Sequence, residues 1–244
     1  MKNRFLAALT LLTSTALLCA EPTATDQANS ALAKLKDAPN YSWTMEVKIP
    51  GLPFEPGVLK GLAEKDGYAQ ISQELGDWTL DAVFKGPKVA MKVDNHWQAP
   101  DPSDGRAMMM AGLIARYGTP VHEMEVLMKS AGNLKGGDDG MLSGDLTEQG
   151  AKDALTFHSP GDAQRPPPKN ARGTLKIWIK DGALTKFESH VEGMVQFNDD
   201  GDPQNFSMTR TLQFKDVGTT KADFPAEAKQ KIEGGGSAPK STGN

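Results

Sequence analysis

Along most of the chain, apolar residues recur at every second position. Tyr41, Trp43, Met45, Val47 and Ile49 alternate with Ser42, Thr44, Glu46 and Lys48, the pattern of a strand buried on one face. Trp78, Leu80, Ala82 and Phe84 share a face in the same way, as do Val89, Met91 and Val93. Phe187, Val191, Val195 and Phe197, then Phe206, Met208, Leu212 and Phe214, continue the rule near the end of the chain. Asp66-Gly67, Gly76-Asp77, Gly86-Pro87, Asp94-Asn95 and Asp181-Gly182 punctuate these runs, supplying positive φ or a fixed φ where a hairpin needs it. The spacing predicts strands over 41–49, 58–64, 68–75, 78–85 and 88–93, with a brief one at Trp97. Further strands are expected over 141–145, 174–180, 183–197, 204–215 and 221–224.

Helical spacing interrupts this pattern in a few places. Ala28, Ala31, Leu32 and Leu35 predict a helix over 25–36, stopped by Pro39. Thr147 is placed to cap another through Leu155, and Pro225 to open a short terminal one. The main interruption is 104–131. Met110, Leu113, Ile114 and Tyr117 fit one helix, and Val121, Met124, Leu127 and Met128 fit a second that begins at Thr119-Pro120. Met108, Met109, Met110, Met124 and Met128 all fall in this window. Methionine fills irregular gaps and lines adaptable apolar surfaces, which leaves two readings open. The two helices are either ordinary core against a sheet or the cover of an apolar cavity.

About ten antiparallel strands, with helices inserted as a block, indicate an α+β fold rather than a parallel nucleotide-binding sheet. A twisted sheet this wide curls, so the expected architecture is a strongly curved open half-barrel with helices over its concave face. The ends are expected to lie outside it. Lys2, Arg4 and the apolar run 5–18 have the form of an export signal cleaved after Ala20, the run being short for a membrane span. Lipidation at Cys19 is the alternative, although Leu18 is large for the position before such a cysteine. The domain plan is therefore a signal at 1–20, one domain over 21–232, and a disordered Gly/Ser/Pro-rich tail at 233–244. A periplasmic or secreted protein with no transmembrane segment in its mature part follows from this plan.

The net formal charge is −4, and loss of Lys2 and Arg4 with the signal makes the remainder more acidic. No basic block suggests nucleic-acid binding. Cys19 is the single cysteine, so the mature domain is expected to fold without disulfides. No G-x-S-x-G motif is present, and the Ser237/Lys240 pair lies in the tail. His96, His122, His158 and His190 are scattered without ligand spacing. The acidic run 198–202 lacks the glycine position and distal glutamate of a calcium loop. No metal or cofactor is indicated, and an enzyme is the weaker class.

Arg210 shares its side of a strand with Phe206, Met208, Leu212 and Phe214. A charge facing an apolar interior is costly unless paired. Arg210 therefore either snorkels out at a strand bend or stands in a cavity wall, bonded to a polar group of an apolar ligand.

In the C-terminal third, the order Gly173-Thr174-Leu175-Lys176-Ile177-Trp178-Ile179-Lys180-Asp181-Gly182-Ala183-Leu184, a long strand, then Leu212-Gln213-Phe214-Lys215-Asp216-Val217-Gly218 and Phe224-Pro225-Ala226-Glu227-Ala228 resembles LolA-type lipoprotein carriers and LppX/LprG-type lipid-binding lipoproteins. Leu142-Ser143-Gly144-Asp145-Leu146 and the helix before Tyr41 fit the same layout. The resemblance implies a half-barrel enclosing an apolar cavity, and carriage of acyl chains across a cell envelope. Some such carriers use a buried sheet arginine in lid closure; Arg210 lies on a late strand and does not align to that position. The missing lipobox and the Pro-rich loop at 160–168 depart from the pattern. The leading expectation is a non-enzymatic carrier of lipid, lipoprotein acyl chains or another elongated apolar ligand, with an envelope protein as a further candidate partner. An envelope interaction or sensor domain with a self-filled core is the alternative, and an uncharacterised hydrolase comes third. The candidate ligand-binding residues are Met108, Met109, Met110, Leu113, Ile114, Met124, Leu127 and Met128 from the helices. Trp43, Phe84, Phe206, Met208 and Arg210 are the candidates from the strands.

Overall fold

The computed structural model describes residues 21–51, 57–76, 78–156, 166–197 and 201–234. The expected signal at 1–20, His158 and the tail from 235 onward fall outside the described residues, as do parts of the Pro-rich loop and the acidic run.

Helix α1 (Ala24–Asp37) begins at a reciprocal cap: Thr23 Oγ1 accepts the Asp26 N–H at 3.1 Å, and the Asp26 carboxylate accepts the Thr23 N–H at 3.1 Å. Its buried face is Ala28, Ala31, Leu32 and Leu35, as the spacing predicts. Strands β1 (Asn40–Lys48), β2 (Leu59–Glu64), β3 (Tyr68–Leu75), β4 (Trp78–Lys85), β5 (Lys88–Val93) and β6 (His96–Gln98) then form a meander. Asp94 and Asn95 both take positive φ in the β5–β6 turn, a conformation the Asx side chain tolerates. Helices α2 (Gly105–Tyr117) and α3 (Pro120–Ser130) follow as one block. A second meander runs through β7 (Lys135–Gly136), β8 (Met141–Asp145), β9 (Lys169–Lys180), β10 (Ala183–Val195) and β11 (Gln204–Lys215). Helix α4 (Glu148–Leu155), capped by Thr147, lies between β8 and β9, and α5 (Ala226–Glu233) ends the described chain.

All eleven strands belong to one antiparallel sheet in the order β6-β5-β4-β3-β2-β1-β11-β10-β9-β8-β7. Every neighbouring pair is consecutive in sequence except β1 and β11, which zip the two meanders together from Ser42↔Lys215 to Lys48↔Thr209. The ends β6 and β7 do not meet, so the sheet is an open half-barrel. Its two faces are covered differently. The inward face packs with α1, α2, α3 and α4 in the main core, centred on Phe84, Met124, Leu155, Ile177, Phe187 and Leu212. On the outer face, Tyr68, Val83, Ala90 and Trp97 form a second core with Phe224, Ala228 and Ile232, roofed by α5. Strand β4 serves both: Leu80, Ala82 and Phe84 point inward, while Val83 points out.

Three expectations are corrected. No strand forms at 221–224, because Phe224 is used as an anchor in the outer core rather than in a ladder. Strand β10 stops at Val195, which leaves Phe197 beyond it and exposed instead of inward. The eleventh strand is β7, hidden from sequence reading inside the glycine-rich stretch 132–140.

Candidate functional site

The α2–α3 block is held over the inner face by local chemistry. The Asp104 carboxylate caps α2, accepting the N–H groups of Arg106 and Ala107 at 2.9 and 3.1 Å. Gly118, at φ +59°, ends α2 with its N–H on Ile114 O at 2.8 Å. Thr119 then caps α3, and Pro120 takes the first helical position, where its missing N–H costs nothing. Tyr41 ties this corner to β1. Burial pushes its phenol up to about 12, opposed by hydrogen bonds with the Thr119 side chain and the Val121 backbone.

Beneath the block lies an apolar pocket of about 240 Å³. Its floor is Trp43, Met45 and Val47 from β1, Ile49 just past the end of that strand, and Leu59 from β2, flanked by Ile71 and Gln73 of β3 and by Leu80 and Phe84 of β4. The opposite flank is Met208, Arg210 and Leu212 of β11, and the roof is Met110, Leu113 and Ile114 with Pro120 and Glu123. In a flat sheet β4 and β11 would be roughly 19 Å apart, four strand spacings, so their convergence on one such pocket requires curvature. The trough also needs a small residue under its aromatic wall. A Cβ on Gly61 would stand 2.2 Å from the Trp43 ring.

Arg210 is buried, with β1 Val47 and β10 Ser189 as its cross-strand neighbours. Its Nη1 meets Glu123 Oε1 of α3 at 2.9 Å, and its Nη2 lies 2.9 Å from Met45 Sδ. Both side chains of the ion pair are almost wholly shielded, at 7% and 10% exposure. Burial raises the Glu123 carboxyl above its ordinary value, against the lowering influence of Arg210 and then of His122. The pair also divides space. A smaller cavity of about 100 Å³, lined by Leu127, Val126 and Ala154 among others, shares Glu123, Met208 and Arg210 with the main pocket.

Gln73 is the other polar group in the wall, 9% exposed. Its Nε2 donates to Gly57 O at 2.8 Å. Among the described residues no donor reaches its Oε1.

The expected candidate residues are divided by this geometry. Met110, Leu113, Ile114, Trp43, Phe84, Met208 and Arg210 line the pocket. Met108 and Met109 do not, because one and two residues before Met110 a helix faces away; Met109 is 46% exposed. Met124 is fully buried in the main core, Leu127 lines the smaller cavity, and Met128 faces the groove between α3 and α1. Phe206 stacks edge-on against Phe197 at 5.4 Å, outside the pocket. The methionine window is therefore not one surface.

Glu123 and Gln73 are absent from the sequence reading, yet each left a trace. An arginine on an apolar strand face demands a counter-charge, and Glu123 stands one turn from Pro120 and Leu127 on the apolar side of α3. Gln73 alternates with Ile71 and Leu75, the buried phase of β3. Among the described residues no three His, Cys, Asp or Glu side chains group as a metal site would need. Among the same residues, no helix is long and apolar enough to cross a membrane.

No protein-family model matches the chain, and no curated protein matches its sequence. Solved structures do. The lipoprotein LppX of Mycobacterium tuberculosis is 10% identical, with 83% of this chain and 99% of that one aligned at a TM-score of 0.45. LprF of Mycobacterium bovis gives 10% identity, 84% and 97% coverage, and a TM-score of 0.45. A LolA superfamily protein of Nitrosomonas europaea gives 10%, 82% and 95%, at 0.32. The chain is similar to these structures over most of its length, and what it binds has to be read from its own pocket.

Proposed function

We propose that this protein is a non-enzymatic carrier or binding protein for a lipid, an acyl chain or another elongated apolar ligand. The observation that supports this reading is the pocket under α2 and α3, apolar apart from Gln73 and the Glu123–Arg210 pair. Those two charges neutralise each other, leaving no activated nucleophile with its base and orienting group, as a hydrolase needs. An interaction module with a self-filled core would not leave about 240 Å³ under its lid. Burial of methylenes supplies affinity, at about 0.8 kcal/mol each. Lys2, Arg4 and the apolar run 5–18 support export, which would bring the protein to the apolar components of an envelope.

Native mass spectrometry with lipid extraction of the purified protein tests the reading. A co-purifying acyl ligand is expected in the wild type and lost in Val47→Trp, whose indole fills the trough from a half-buried strand position. Wild-type protein that neither retains nor takes up any apolar chain, under conditions where it is folded, would refute it.

A further inference from the structure

Resting on the pocket as a ligand site, its polar chemistry narrows the ligand class. Size comes first. An apolar cavity of ~150 Å³ takes a benzene ring, and drug-sized ligands begin near ~300 Å³, so about 240 Å³ suits one chain rather than two or three. Gln73 on β3 and Arg210 on β11 lie three strands apart across β2 and β1. Across the strands that is about 14 Å in a flat sheet, the reach of a chain of roughly ten carbons.

Charge comes next. Glu123 and Arg210 are the ionisable groups of the lining, and they face each other at 2.9 Å. A carboxylate entering the pocket meets Glu123 with Arg210 already engaged. An ammonium meets Arg210 in the same way, and either would be a buried charge without a counter-ion. A neutral head escapes both penalties. Gln73 then decides which neutral head. Its amide N–H is held by Gly57 O, which fixes the flip of the side chain and leaves Oε1 as an acceptor that no donor among the described residues engages, on a pocket-lining side chain that is itself nine-tenths buried. A hydroxyl or primary amide on the ligand completes it, whereas an ether leaves it unsatisfied.

We infer that the pocket selects a neutral, single-chain amphiphile whose hydroxyl or amide donates to Gln73 Oε1. Calorimetric titration of the full chain at pH 8 with decanol, its ten-carbon isomer nonyl methyl ether, and decanoate tests this. Decanol binds about tenfold more tightly than the ether or the carboxylate, the range of one well-formed hydrogen bond. In Gln73→Met the decanol advantage over the ether disappears while ether affinity is kept. Because this is a ratio within one protein, partial loss of folded material leaves it unchanged. Decanoate binding as well as decanol overturns the inference, as does a decanol-to-ether ratio that survives Gln73→Met; in both cases chains still bind and the pocket reading stands. Failure of all three ligands to bind overturns the pocket reading and the inference together.

Discussion

A guanidinium on the inward face of β11 has to be neutralised where it stands, and Glu123 of α3 does so with almost no solvent to share the charge. The two partners are not equivalent when removed. Glu123→Gln leaves a cation that cannot lose its proton, the situation that costs about 3–5 kcal/mol. Arg210→Leu leaves a carboxyl already raised by burial, and without its main opposing charge it rises further. The folded state of that variant holds a proton the unfolded chain has released. Its stability is therefore highest below the ordinary value of 4.5 and falls as pH climbs through the raised one. Urea unfolding is expected to show Arg210→Leu less damaged than Glu123→Gln at pH 5, with the gap narrowing at pH 8; equal losses at both pH values would contradict this. Gly61 is the second residue-scale determinant. With a Cβ 2.2 Å from the indole of Trp43, Gly61→Ala must push the ring into the pocket or the strands apart, at about 1–3 kcal/mol. A lowered midpoint with altered tryptophan emission is the expected result.

Helix α3 shows how element and side chain part company. Its apolar stripe is legible, and so are its Thr119-Pro120 start and the Gly118 stop before it, because caps and turns are local chemistry. The Asp181-Gly182 hairpin and the alternation of β1, β4 and β11 are legible for the same reason. What the stripe cannot tell is which neighbour each residue meets. Met124 goes to the core, Glu123 to the pocket and Met128 to the α1 groove, since that depends on where α1 and β11 lie. Met124→Ala is accordingly a core deletion, expected to cost about 2–5 kcal/mol. Met109→Ala, on the exposed side of α2, should stay within about 0.5 kcal/mol. Denaturant midpoints with unchanged slopes would establish the contrast; equal losses would mean that α2 is not seated as described.

At the scale of the whole molecule, the decisive contact is the β1–β11 pairing, which lies beyond any local signal. Residues 169 positions apart in sequence are joined there, as Thr44 is to Gln213, and the trough exists because the two meanders meet at that seam. The Glu123–Arg210 pair sits just above it, shared between cavities of about 240 and 100 Å³. It works as a partition as well as a tie between α3 and the sheet. Replacing both residues by Ala removes the wall without stranding a charge, so the damage of either single charge deletion is avoided. In the wild type, affinity for a series of neutral alcohols should rise about fourfold per methylene and level off where the main pocket is full. In the double variant the plateau should move to chains longer by several carbons, because the smaller cavity becomes continuous with the larger. A plateau that stays in place, in a variant that still binds the shorter alcohols, would mean that Met208 alone keeps the cavities apart.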